Sequence, residues 1–393
     1  MFKTLDRATR RLYFLLLTGF VLFGITLTLA GSALPQIIRS FGWSYAVTGL
    51  VLAASSAGYF LASFINGFLM QRYPPRLIML IGLVIGAISL SLFVRWQSPL
   101  LNLFLNFGIG VCQGSIEVVT NVEVIHMEQK GQSRLMNLIH ACFCIGAIIG
   151  PSAVGYILKK GIPLVSIFIA SAILFAILAV IVAFARFPRV QSSLEKGEKS
   201  GLRLLREPLV VIMTAALLIY VGTEIGFSSW SSEYVVKSLG VSASTGAFAV
   251  ALFWLGLLAG RLAISFGYKG SRQELIMLAL SVISAAALLG LLLARSMAAV
   301  AAAVFIAGLG SSGFYPLGMS VLGKRFKSGV AVGTAATGGA AGSIAFPFAM
   351  AMISQTIGIR RGFWFYLVVN VFLVVLSVFL VRIVRKGQRG AEG

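Results

Sequence analysis

Acidic residues are scarce in this chain. Only 11 Asp and Glu occur among 393 residues, and Asp6 is the single aspartate. Charged residues of both signs make up 11% of the chain, against roughly a quarter in soluble domains, which excludes an ordinary water-soluble globule. Cysteine is reduced to Cys112, Cys142 and Cys144, all inside apolar runs, so free thiols are expected and no disulfide framework. These cysteines and the two histidines lack metal-ligand spacing, and no phosphate-gripping Walker A sequence is present. No cofactor, metal or ATP drive is expected, and nothing points to an enzyme.

Apolar residues dominate instead, at 59% of the chain with a mean hydropathy of +0.97. The runs are long and do not alternate, so an all-α membrane protein is expected rather than a barrel. The net charge of +21 would suggest nucleic acid in a soluble protein. Here the basic residues sit in short loops between apolar segments, where they report topology, and no nucleic-acid partner is expected. The start of the chain imitates a signal peptide, but the run from Leu12 to Ala30 is too long for a signal core and reads as an uncleaved first helix.

Cutting the apolar runs at charged or Pro/Gly loops predicts twelve spans: 12–37, 44–70, 77–95, 98–126, 133–158, 163–185, 208–236, 243–267, 273–294, 297–322, 329–355 and 362–383. The only long polar stretch, 187–207, separates an N-terminal bundle, 1–186, from a C-terminal one, 208–393. The termini, that linker and the loops on its side carry 23 Lys and Arg, against 8 on the other side with Arg261 set apart. Both termini are therefore expected in the cytoplasm, with the chain in the plasma (inner) membrane. The glycine-rich run from Gly108 resembles that from Gly308, and the run from Gly146 resembles that from Gly338. A duplicated six-helix unit follows, and such repeats place substrate sites near the membrane midplane, between the halves.

Segment four carries Gln113, Glu117 and Asn121 four residues apart, with Asn106 seven residues before Gln113. That spacing puts amide, carboxyl and amide on one helix face. A carboxylate at mid-membrane needs water or a partner, so the face is expected on an aqueous cavity. Asn137 and His140 of segment five reach the same level, and His140 can share a proton with Glu117 or merely brace the helices. Segment seven turns polar after Val221, where Gly222 and Gly226 bracket Glu224 and serines surround Trp230. This reads as a discontinuous, site-lining helix, with Trp230 either stacking on cargo or in the interfacial belt. Glu117 and Glu224 are expected to be the main buried acids. Trp254 and Tyr315 are candidate cavity residues, and Arg261 either snorkels to the cytoplasmic interface or pairs with a buried carboxylate.

Twelve spans in two halves with an inner linker resemble the major facilitator superfamily. The loop after segment two is similar to the family's G-x-x-x-D-R-x-G-R-[KR] pattern through Gly67, Arg72 and Arg76, with Gln71 in place of the usual Asp. The resemblance implies a cytoplasmic latch in which Gly67, Arg72, Arg76 and Arg261 are candidates. Glu117-x-x-x-Asn121, Asn137-Leu-Ile-His140, Val221-Gly222-Thr-Glu224, Phe253-Trp254-Leu-Gly256 and Phe314-Tyr315-Pro316 resemble the fucose-permease and sodium-glucose-transporter branch. That branch implies alternating-access uptake of a sugar or small polar solute coupled to a proton or sodium, by a monomer in the lipid bilayer. Glu117, His140 and Glu224 are then coupling candidates; Gln113, Asn121, Asn137, Trp230, Trp254 and Tyr315 are substrate candidates. The alternative is proton-driven efflux of a drug or an amphipathic, lipid-like molecule, suggested by Gly146-x-x-x-Gly150-Pro151.

Overall fold

The computed structural model describes residues 6–70, 72–127, 134–187, 206–267, 272–326 and 329–392, and every regular element among them is helical. In order these are α1 (Arg7–Ser32), α2 (Leu34–Phe41), α3 (Tyr45–Leu69), α4 (Pro75–Leu92), α5 (Pro99–Met127), α6 (Arg134–Lys159) and α7 (Val165–Phe184). Then follow α8 (Pro208–Leu239), α9 (Ala243–Gly267), α10 (Gln273–Leu293), α11 (Met297–Gly310), α12 (Phe314–Arg325), α13 (Gly329–Ile357), α14 (Ile359–Gly362) and α15 (Trp364–Glu392). Among the described residues, twelve helical spans are long and apolar enough to cross a membrane. Two predicted segments are interrupted: the first at Ala33, just before Pro35, and the tenth at Ser311–Gly313, just before Pro316. Proline lacks the N–H that an unbroken helix needs and crowds the carbonyl four residues back.

The chain forms two compact units, Met1–Ser193 with Ser242–Ala251, and Leu194–Val241 with Leu252–Gly393. Within the first, α1 packs on α6 and α3 on α5; within the second, α8 packs on α13. Both units use the same device. A Cβ on Gly58 would overlap the Phe107 carbonyl, and one on Gly110 the Ser55 carbonyl. In the second unit Gly256 meets Phe305 and Gly308 meets Phe253 in the same way. From Gly58 to Gly256, and from Gly110 to Gly308, the shift is 198 residues. Gly146 lies on the Val21 carbonyl as Gly342 lies on that of Leu218, and Pro151 and Pro347 sit inside the two helices at the matching place without breaking either. Glycine lets main chains touch where no hydrophobic force separates helix from lipid. The repeat is thus built into the packing, but its register differs from the sequence pairing. Gly308 answers Gly110 rather than Gly108, and Gly342 rather than Gly338 answers Gly146, because carbonyl contacts and not local glycine density set the equivalence.

Candidate functional site

In the first unit the polar face of α5 divides. Its N-terminal part is consumed by packing: Asn106 Nδ2 donates to Val51 O at 2.6 Å, and Gln113 Nε2 to Thr26 Oγ1 at 3.3 Å. Both residues are buried, and Gln113 Oε1 has no partner. The C-terminal part stays accessible. Glu117 and Asn121 are half-buried, and the Glu117 carboxyl is met by the Tyr59 hydroxyl and the Asn121 side chain. Tyr59 reaches it because glycines clear the α3–α5 contact; a Cβ on Gly114 would lie 2.5 Å from Tyr59 O. The Tyr59 ring stacks on Phe23 with centroids 6.1 Å apart, and Phe23 packs on Phe143 at 4.8 Å. His140 stands edge-on to Phe20 at 5.5 Å. The Asn137 side chain lies outside the described residues.

In the second unit the expected discontinuity of segment seven is absent: α8 runs unbroken from Pro208 to Leu239. Gly222 and Gly226 admit rings instead of unwinding the helix. A Cβ on Gly222 would lie 2.6 Å from the Phe346 ring, and one on Gly226 2.5 Å from the Tyr366 hydroxyl oxygen. Trp230 donates from Nε1 to Pro347 O at 3.0 Å, and Trp254 from Nε1 to Ser228 Oγ at 2.8 Å. Both indoles are wholly buried, whereas Tyr315 is 36% exposed.

The polar partners of α8 gather around the break in segment ten. Glu224 is buried beside the Arg261 guanidinium and the Tyr220 hydroxyl. Tyr220 donates to Ser311 O, and Arg261 Nε donates to Ser312 O at 3.1 Å. Of the two readings of Arg261, the geometry matches pairing with a buried carboxylate. The two acids therefore differ. Glu117 meets a hydroxyl and an amide, while Glu224 meets a cation.

Of the latch candidates, Gly67 has open space where a side chain would stand, Arg72 is exposed, and Arg76 Nη1 donates to Ala183 O at 3.4 Å. Gln71 lies outside the described residues. The expectation of two main buried acids is corrected. Glu123, Glu233 and Glu274 are also buried, at 1%, 1% and 3% exposure. Each falls inside a predicted span, so screening every acid within the spans would have found them; the search for a single polar stripe did not. Tyr59 and Tyr220 were also missed, because an aromatic in an apolar run carries no periodic signal. Among the described residues no group of three His, Cys, Asp or Glu could hold a metal ion.

The profile of the Major Facilitator Superfamily matches residues 16–288, and the chain belongs to that family of membrane transporters. It is 26% identical to the Saccharomyces cerevisiae "Bypass of stop codon protein 6", over 87% of this chain and 76% of that one. The nucleoside transporter NupG shares its fold, with a TM-score of 0.77 and 14% identity over 96% of this chain and 99% of that one. The E. coli fucose:proton symporter FucP also shares it, with a TM-score of 0.65 and 20% identity over 95% and 99%.

Proposed function

We propose that this facilitator is a secondary carrier working by alternating access, which couples uptake of a sugar or similar small polar solute to a proton or sodium ion. It works as a monomer in the plasma (inner) membrane, with both termini in the cytoplasm. The observation that carries the reading is Glu117: a half-buried carboxyl whose partners, Tyr59 and Asn121, are neutral. By helix rise it lies about 15 Å from the inner end of α5. A mid-membrane acid without a fixed counter-charge can take up and release a cation as its exposure changes, which coupling requires. His140 assists from α6. Glu224 was the second coupling candidate; its neighbour Arg261 already supplies the positive charge there. That neutral pair favours an uncharged cargo; of the substrate candidates, Asn121 in the first unit and Tyr315 in the second keep accessible surface, while Gln113, Trp230 and Trp254 are buried. The named cargoes of the structural neighbours, a nucleoside and fucose, are uncharged polar solutes of this kind. Gly146 and Gly150, the suggestion of efflux, lie against α1 main chain, a packing role that implies no exported cargo.

The test is uptake of L-fucose, D-glucose and uridine by the purified chain in vesicles with an imposed proton or sodium gradient. Accumulation that follows one gradient and is lost in Glu117→Gln supports the reading. Movement of every cargo independent of both gradients, or accumulation unchanged in Glu117→Gln, overturns it.

A further inference from the structure

Pro316 is the third residue of α12. In an unbroken helix its nitrogen would face the Ser312 carbonyl, but it carries no hydrogen and its ring crowds that oxygen. The chain breaks, and the carbonyls of Ser311 and Ser312 lose the partners that helix continuation would supply. Both residues are buried, at 5% and 0% exposure, and a buried carbonyl left unpaired is costly. Side chains from two other helices take over. The Tyr220 hydroxyl of α8 donates to Ser311 O, and Arg261 Nε of α9 donates to Ser312 O at 3.1 Å. Gly260 makes room for this: a Cβ there would overlap the Ser312 hydroxyl. The guanidinium is permanently charged, and Glu224 is the carboxylate beside it, with Tyr220 in reach of both.

We propose that Tyr220 and Arg261 are positioning residues that take the two carbonyls stranded at the break, Arg261 replacing the main-chain hydrogen bond to Ser312 that Pro316 forbids, and so fix the opening turn of α12, which carries Tyr315. Glu224 neutralises Arg261 in this assembly and takes no part in exchanging the coupling cation. The polar run of α8 thus serves a break in a different helix from the one that carries it. What Tyr315 touches rests on the carrier reading above. The hold on its turn does not, and it can be read without any cargo.

The experiment uses the full chain in phospholipid vesicles, with Cys112, Cys142 and Cys144 replaced by Ala and Tyr315→Cys as reporter. The readout is the rate of reaction with N-ethylmaleimide. Arg261→Gln and Tyr220→Phe should each raise the rate by about tenfold, the scale of one lost hydrogen bond involving a charged or buried group. The neutral double variant Glu224→Gln/Arg261→Gln should raise it equally, since the Ser312 carbonyl is still stranded. Pro316→Ala restores an N–H opposite that carbonyl, and in its background Arg261→Gln should no longer alter the rate. A rate unchanged in both Tyr220→Phe and the neutral double variant overturns the proposal. So does an Arg261→Gln effect of the same size with and without Pro316→Ala, which would reduce Arg261 to a bare charge. Tyr220→Phe keeps the ring and is the variant that decides if Arg261→Gln fails to fold. Failure of vesicle uptake would count against the carrier reading and leave this labelling result standing.

Discussion

Tyr59 of α3 donates its phenolic hydrogen bond to the Glu117 carboxylate of α5. Two glycines make the contact possible: Gly58 and Gly110 let the helices approach until main chain meets main chain. Phe23, stacked on the Tyr59 ring at an interplanar angle of 23°, fixes the direction of the hydroxyl. The carboxyl is thus oriented by a neutral donor, which leaves its charge free to change.

Tyr59→Phe removes the hydroxyl and keeps the stacked ring. Gradient-driven uptake should fall by about tenfold, as expected for one hydrogen bond to a charged group. The double variant Tyr59→Phe/Glu117→Gln should be no worse than Glu117→Gln alone, because the hydroxyl acts through the carboxyl. Additive losses in initial uptake rates would show that Tyr59 has a separate task.

Glu117→Gln preserves shape and hydrogen bonding but removes the exchangeable charge. Gradient-driven accumulation should vanish while exchange of labelled for unlabelled cargo across the membrane persists. Parallel measurements of accumulation and exchange on one vesicle preparation check this. Loss of both together would mark Glu117 as a structural or cargo-binding group.

Arg261→Gln leaves the buried Glu224 without its counter-charge, and Glu224→Gln leaves the half-buried Arg261 without its own. Each single change should destabilise the second unit by about 2–4 kcal/mol, and the double neutral variant should recover part of that loss. Thermal unfolding in detergent, followed by the intrinsic fluorescence of the buried Trp230 and Trp254, measures it. A double variant less stable than either single one would contradict the pairing.

Gly146→Ala and Gly342→Ala should cost similar amounts, about 3 kcal/mol, because each new Cβ meets a carbonyl of the facing helix. Gly333→Ala has open space in the same helix as Gly342 and should be neutral or mildly stabilising. Unequal losses at the two matched positions, measured as midpoints of thermal unfolding, would break the structural equivalence of the repeats.

The distribution of basic residues predicts that Ser98 and Glu207 lie on opposite sides of the membrane. Both are exposed. With the native cysteines removed, Ser98→Cys should react with an impermeant maleimide added outside intact cells, and Glu207→Cys only after the membrane is opened. Reaction of both from outside would invert or break the topology.

The sequence by itself determined the spans, their number and the existence of a repeat. Hydropathy over about twenty residues and the spacing of Gln113, Glu117 and Asn121 are properties of one segment at a time, so no neighbour need be known to read them. It also supplied the acids and the arginine of the candidate site, but not which groups they face. Only the tertiary structure decided that Glu117 meets Tyr59 and Glu224 meets Arg261, since those partners come from helices far along the chain. The same holds for the glycines of α8. A glycine in a helix can loosen the backbone or admit a neighbour's ring, and Gly222 and Gly226 look identical in either role. Phe346 and Tyr366 fill the space beside them, so α8 stays whole. Pro316 marks a weak point of segment ten through its missing hydrogen, but Pro151 and Pro347 lie inside unbroken helices, so packing decides whether the chain breaks there and which side chains take the stranded carbonyls.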